Sequence, residues 1–426
     1  MTTQVRDDTF SRLTNYRDQV KMFLNWLLII NYKLLILRMS IYLDNAGTKK
    51  PDEKIANEYY KLINKSFGNS SSLHSHGREI SKILENCRET VANIFSVEPE
   101  MVYFNSGASE GNNTVLKGMV DYALYYKIFK KKLPHLIISS VEHPSIIETA
   151  KTLQALKRAT ITYINPNEDG IINTKQIIEN IIPETILVSI GLVNNETGIA
   201  QKIKTIGREI KKFKISHKTN YPFYHSDITQ AIEYFNVDLE KDLIDIVTFS
   251  GHKFGSLPGC GVMISRADKF LPLIDGGGQE MSKRSGTVDI YGILFLTKIL
   301  EKIVKNREKI SKNIIKKIIR MERKIKKIKG AQILFELSPR SPHISLVSLK
   351  GVDHQELFVL LDRENISISI GSACASKSQK ISYVLKNIGI DETTIKSTLR
   401  ISIASATSNE EIDQFVKTLA KIYENY

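Results

Sequence analysis

Residues 244–253 read Ile-Asp-Ile-Val-Thr-Phe-Ser-Gly-His-Lys, an apolar run that breaks into Ser250-Gly251-His252-Lys253. Ile244–Phe249 is short and rich in β-branched and aromatic residues, so it reads as a strand. Near-continuous apolar character is what a strand covered on both faces requires. Runs of the same kind predict strands at Met101–Phe104, Leu136–Val141, Thr160–Ile164, Ile186–Val193, Phe223–Ser226 and Gly261–Ile264. Helical stretches such as Gly111–Phe129 and Ile203–Phe213 separate them. The alternation predicts an α/β fold, with a central, mostly parallel seven-stranded sheet and helices on both sides. Sheets of this kind bind ligands at the carboxyl ends of their strands.

Past Gly276-Gly277-Gly278 the pattern changes. Ile299, Ile303, Ile310, Ile314 and Ile318 recur at helical spacing. Between Lys302 and Lys329 thirteen Lys or Arg face two Glu, which places most of the chain's formal +14 on one long helix. A solvated outer face explains that charge better than a nucleic-acid surface, because no nucleic-acid-binding motif accompanies it. Strands at Ile344–Leu349, Ile366–Ile370 and Arg400–Ser402 and helices at His354–Glu364 and Asn409–Tyr423 predict a smaller α+β domain. The expected division is an N-terminal extension 1–40, a segment 41–60 joining the small domain, a large domain 61–295 and a small domain 296–426.

Three cysteines, Cys87, Cys260 and Cys374, lie far apart and form no CxxC pair. That argues against a disulfide framework or a zinc site and for a reducing compartment, the cytoplasm or its equivalent. No metal is expected. The apolar stretch 22–38 holds an uncharged run of only eleven residues, where a membrane span needs about twenty. A weak membrane anchor, a docked amphipathic helix and sequence upstream of a start at Met39 all stay open for it.

Three motifs carry the chemistry. A lysine at a strand end, Lys253, can reach a cleft where a desolvated amine becomes nucleophilic. Asn105-Ser106-Gly107-Ala108-Ser109-Glu110 puts small residues at a strand-to-helix turn, where amide groups and the helix dipole favour a phosphate. His225-Ser226-Asp227-Ile228-Thr229-Gln230 sets a carboxylate at another strand end, suited to keep a pyridinium nitrogen protonated. Cys374, in Gly371-Ser372-Ala373-Cys374-Ala375-Ser376, sits among small polar residues that read as a loop, where a thiolate nucleophile gains exposure. Cys87 and Cys260 read as structural.

In this order the motifs resemble the cysteine desulfurases of the NifS/IscS type, within the class V aminotransferase group of fold-type I pyridoxal-phosphate enzymes. The resemblance runs from Ile41 to near the C-terminus. It rests also on Tyr42-Leu43-Asp44, Phe67-Gly68-Asn69, Glu142-His143, Val193-Asn194-Asn195-Glu196-Thr197-Gly198, Arg284-Ser285-Gly286-Thr287 and Ser382-Tyr383-Val384-Leu385. It implies pyridoxal 5'-phosphate carried on Lys253, with Asp227 at the ring nitrogen, His143 stacked on the ring and Gln230 at the phenolic oxygen. Ala108, Ser109, Ser250 and His252 would hold the phosphate, joined by Thr287 from the second subunit of a homodimer. Asn195 and Arg400 would hold the carboxylate of L-cysteine, and Cys374 would take its sulfur as a persulfide, leaving alanine. An acceptor protein would receive that sulfur, for iron–sulfur cluster assembly or other thiolation; the chain stops at Tyr426, without the tail by which such enzymes commonly dock a scaffold.

Three stretches depart from the family pattern: Asn45-Ala46-Gly47-Thr48-Lys49-Lys50, Phe254-Gly255-Ser256-Leu257-Pro258-Gly259 and Ala404-Ser405. Competing readings are a selenocysteine lyase or aminotransferase of the same fold, in which Cys374 is dispensable, and a non-catalytic protein binding through its basic helix.

Overall fold

The computed structural model describes residues 40–63, 66–371 and 381–425. The stretch 22–38 and Cys374 lie outside these residues. Twelve strands are numbered in chain order: β1 Ile41–Tyr42, β2 Val102–Asn105, β3 His135–Ser139, β4 Thr160–Ile164, β5 Thr185–Ser189, β6 Phe223–Asp227, β7 Ile246–Ser250, β8 Gly261–Ser265, β9 Ala331–Leu334, β10 Ile344–Leu349, β11 Ile366–Ser367 and β12 Thr398–Ser402.

Seven of them form the central sheet in the order β2-β8-β7-β6-β5-β3-β4. Only β8 runs antiparallel to its neighbours. The expected mostly parallel seven-stranded sheet is therefore present. Its side chains alternate between two buried clusters: Ile137 of β3 packs on one face, Leu136 and Ile138 on the other. Both faces are covered, which accounts for the unbroken apolar runs.

The strands reach one residue further into polar sequence than expected at the ends that matter. Asp227 and Ser250 are the last residues of β6 and β7, not the first of a loop. Conversely, the run Ile186–Val193 leaves regular pairing at Ser189, although the Ile190 and Leu192 amides still donate to His225 and Asp227. The register sets Asp227 beside Thr248, so β6 and β7 finish together at one edge.

β9, β10 and β12 make an antiparallel sheet with its own core, while β1 pairs with β11. The strand expected at Ile366–Ile370 shortens to two residues, with Ser369 bridging Arg400. One helix, Ile290–Ile325, serves both cores. Ile293, Leu296 and Leu300 enter the cluster under the large sheet; Ile314, Ile318 and Met321 enter the other. Its outer face exposes Lys305, Lys309, Lys312 and Lys316. Among the described residues no helix is long and apolar enough to cross a membrane.

Candidate active site

The carboxyl ends of β3, β5, β6 and β7 and the start of the helix Ala108–Tyr125 surround a cleft of about 330 Å³. Nine residues singled out from sequence line it: Ala108, Ser109, His143, Asn195, Asp227, Gln230, Ser250, His252 and Lys253. Arg400 stands behind Asn195. Thr287 is exposed and outside the lining.

The helix start is built by close backbone approach. Gly107 has φ +147°, and a Cβ there would stand 3.1 Å from Ser250 Oγ. A Cβ on Gly261 would stand 2.4 Å from Gly107 Cα. With glycine at both places, the Ala108 amide reaches Ser250 Oγ at 2.7 Å. Gly107 at the N-cap has no side chain to cap the helix, and Ser250 takes only the Ala108 amide, so the amides that follow in the first turn face the cleft as an anion site.

β7 ends at Ser250 and one 3₁₀ turn, Gly251–Phe254, presents Lys253. Its Nζ donates to the Ala46 carbonyl at 2.9 Å and to that of Gly47. Thr48 Oγ1 pairs with His252 Nδ1 at 3.1 Å. The first departure from the family pattern thus wraps the lysine. Burial, and then the Lys253 cation, push His252 down to about 4, so it is neutral.

Asp227 is held from two sides, its Oδ1 accepting from the Thr229 amide at 2.9 Å and its Oδ2 from Asn112 Nδ2 at 2.8 Å. His143 caps the helix Pro144–Ala155, its Nδ1 accepting the Ser145 amide at 3.1 Å. Burial pushes its pKa down; Asp227 pulls it up and Lys253 pushes it lower. Gln230 donates to the Ala46 carbonyl at 3.0 Å and pairs with His343 at 3.1 Å. Burial and nearby cations push His343 down to about 3, so it is neutral. Gln230 presents Oε1, which can only accept, so the proton is on His343 Nε2, which donates.

Arg400 is only 2% exposed. Its Nη1 donates to the Asn195 carbonyl at 2.8 Å and its Nη2 to Asp44 at 2.7 Å. A carboxylate of its own chain thus occupies one edge of the guanidinium, while its buried Nε has no partner among the described residues. Two further buried carboxyls went without a role in the sequence reading. Glu196 accepts from Ser382 Oγ at 2.6 Å, and burial raises its pKa. The Glu142 side chain lines the cleft and accepts the Gly191 amide at 2.8 Å, and its carbonyl accepts from Tyr383 Oη. Asn112 was missed as well, although it falls one turn past Ser109 on the cleft side of an otherwise apolar helix face.

Burial, reinforced by Asp227, pushes the Glu142 carboxyl up to about 8. A folded-state pKa above the unfolded one means stability present at low pH and lost as pH climbs from the usual 4.5 through 8. Glu142→Gln should remove that loss. The difference in unfolding free energy between wild type and variant, from urea titrations at several pH values, should move in favour of the variant by on the order of 4 kcal/mol across this window. A difference that stays flat with pH refutes the assignment.

The sequence model of the family described as aminotransferase class-V matches residues 41–415. A cysteine desulfurase IscS of Clostridium botulinum (strain Kyoto / Type A2) is 34% identical over 394 residues, 91% of this chain and 95% of that protein. A mitochondrial cysteine desulfurase of Eremothecium gossypii is 32% identical over 385 residues, 89% of this chain and 75% of that one. Among solved structures, a NifS-like protein superposes with a TM-score of 0.83 at 29% identity, covering 91% of this chain and all of its own.

Proposed function

Since the chain belongs to the aminotransferase class-V family, whose members depend on pyridoxal phosphate, we infer that it is a cysteine desulfurase. On this reading it converts L-cysteine to L-alanine and leaves the sulfur as a persulfide on Cys374. The observation that carries it is the meeting of the Lys253 amine, the Asp227 carboxylate and the start of the helix Ala108–Tyr125 in one cleft.

The cleft fits the cofactor by its donor set. The close approach at Gly107 brings the helix start and the Ser250 hydroxyl together as a phosphate cradle, and the buried Thr229 Oγ1, on the lining, has no partner among the described residues. Ala108, Ser109, Ser250 and His252 would take the phosphate, Asp227 the ring nitrogen, Gln230 the phenolic oxygen and His143 the ring face. When bound, the group supplies an electron-accepting ring beside the carbon that loses its proton.

Lys253 would hold the cofactor through its amine, and its Nζ is the base placed to take the α-proton of the substrate. Neutral His143 and His252 keep extra positive charge away from that amine. Asn195 and Arg400 orient the substrate carboxylate. For Arg400 to do so the substrate must take the place of Asp44 at Nη2. The Cys374 thiolate attacks the substrate sulfur; an S–S bond forms, the Cβ–S bond breaks with its electron pair passing to the three-carbon fragment, and alanine leaves.

Thr287 is proposed to reach the cofactor of a second copy. In support, the segment bearing it is tied to the cofactor-side helix by Arg284, whose Nε donates to Glu110 at 2.8 Å. The sulfur then passes to an acceptor protein, for iron–sulfur cluster assembly or other thiolation. A reducing compartment agrees with the buried, unpaired thiols of Cys87 and Cys260.

The purified chain loaded with pyridoxal phosphate and given L-cysteine should yield alanine and sulfane sulfur in equal amounts before any reductant is added. Pyruvate and ammonia in place of alanine, or no turnover, would overturn this reading.

A further inference from the structure

The hydrogen bonds behind Asp227 and His143 converge on Asn112, which is wholly buried. Its Nδ2 donates to Asp227 Oδ2 at 2.8 Å and to Ser145 Oγ at 2.9 Å, and its Oδ1 accepts from Thr248 Oγ1 at 2.5 Å. A carboxylate can only accept, so the amide nitrogen must face Asp227, and both of its hydrogens are then used.

The remaining directions follow from counting protons. The one hydroxyl proton of Thr248 goes to Asn112, so its oxygen accepts from His225 Nε2 at 3.1 Å. His225, kept neutral by burial against the pull of Asp227, offers Nδ1 to the Ser189 hydroxyl at 2.9 Å. On the other branch, the Ser145 backbone amide is a fixed donor and points at His143 Nδ1, so that nitrogen is an acceptor. Ser145 Oγ, accepting from Asn112, gives its only proton to the same nitrogen at 2.8 Å. His143 must therefore hold its hydrogen on Nε2.

We propose that Asn112 is a positioning residue of the reaction: one amide sets the direction of the Asp227 carboxylate and, through Ser145, braces His143 as its Nε2–H tautomer. The inference rests on the cofactor reading above. It concerns two groups expected on different sides of the cofactor ring, and a chain of oriented hydrogen bonds holds such groups more rigidly than separate contacts would.

The test compares wild type with Asn112→Ala and Ser145→Ala, all as the full chain. Two quantities are read: the dissociation constant of pyridoxal phosphate by equilibrium dialysis, and the ring-nitrogen resonances of ¹⁵N-histidine-labelled protein, with His143 assigned by its loss in His143→Gln. Wild type should show His143 protonated on Nε2 alone. Asn112→Ala should weaken cofactor binding by about tenfold or more, because a donor to a buried charged group is lost, and should shift the His143 Nδ1 resonance. Ser145→Ala should shift that resonance equally while leaving cofactor affinity within about twofold. A merely structural role would not produce this split.

The proposal is overturned if His143 carries its proton on Nδ1 in wild type, or if folded Asn112→Ala binds the cofactor as wild type does. Should Asn112→Ala not fold, the wild-type tautomer and the Ser145→Ala shift decide alone. A chain that takes up no pyridoxal phosphate overturns the functional reading instead, and the tautomer measured without cofactor still judges this one.

Discussion

Lys253→Ala should lower turnover of L-cysteine by about 10⁴-fold or more, measured as alanine formed. The side chain has two tasks that no neighbour can assume. Positioned proton transfer alone is worth about 10²–10⁴-fold, and loss of the covalent hold on the cofactor adds to it. Lys253→Arg should fail almost as badly, since a guanidinium keeps the charge but stays protonated at neutral pH and cannot serve as the amine. Borohydride treatment followed by mass analysis should fix one pyridoxyl group on the peptide carrying Lys253 in wild type and none in either variant. The fold should survive, because the turn that presents residue 253 is set by β7 and by the backbone bond from the Ser256 amide to the Gly251 carbonyl. A variant that retains even a hundredth of wild-type turnover would show that another amine does the chemistry.

The large sheet could be read from sequence because a buried parallel strand must be apolar on both faces, and six or seven such runs in one chain leave few other architectures. What sequence obscured were the strand ends. Asp227 and Ser250 are polar and follow apolar runs, so periodicity assigns them to loops, yet each is the last paired residue of its strand. Polar residues sit there because they face the cleft rather than a helix.

The edge strand β9 has only Ile333 and Leu334 buried, so it carries no continuous apolar run to detect, and pairing with β10 creates it. The sequence also placed the isoleucine stripe of the long helix without showing that its two halves enter separate cores. Of the nine expected residues on the cleft, Lys253, Asp227, Ala108 and Ser109 were legible from polar motifs at strand ends, and the others only through the resemblance to the desulfurases. Asn112 and the Asp44–Arg400 pair were not. The latter spans 356 positions, and nothing local to either residue announces its partner.

Cys374→Ser should leave cofactor uptake within about twofold of wild type, since no cofactor contact is assigned to it, but cut sulfide and alanine release by about 10³-fold or more. A serine hydroxyl at neutral pH is protonated almost entirely, whereas a thiol near its usual pKa of about 8.5 is ionised to a few per cent. An oxygen nucleophile would moreover have to form an S–O bond, which cannot pass sulfur on as a persulfide does. The substrate should therefore bind and lose its α-proton without losing sulfur. Exchange of that proton with deuterated solvent should persist in the variant while product formation stops, and this split locates the defect after Lys253 has acted. The segment that carries Cys374 is followed by Ser382 and Tyr383, both bonded to residues around the cleft, Glu196 and Glu142. Breaking the first of these two bonds, with Ser382→Ala, should slow sulfur transfer without abolishing exchange. Sulfide released at the wild-type rate by Cys374→Ser would instead mean that sulfur leaves the substrate without ever touching the protein, as a lyase would release it.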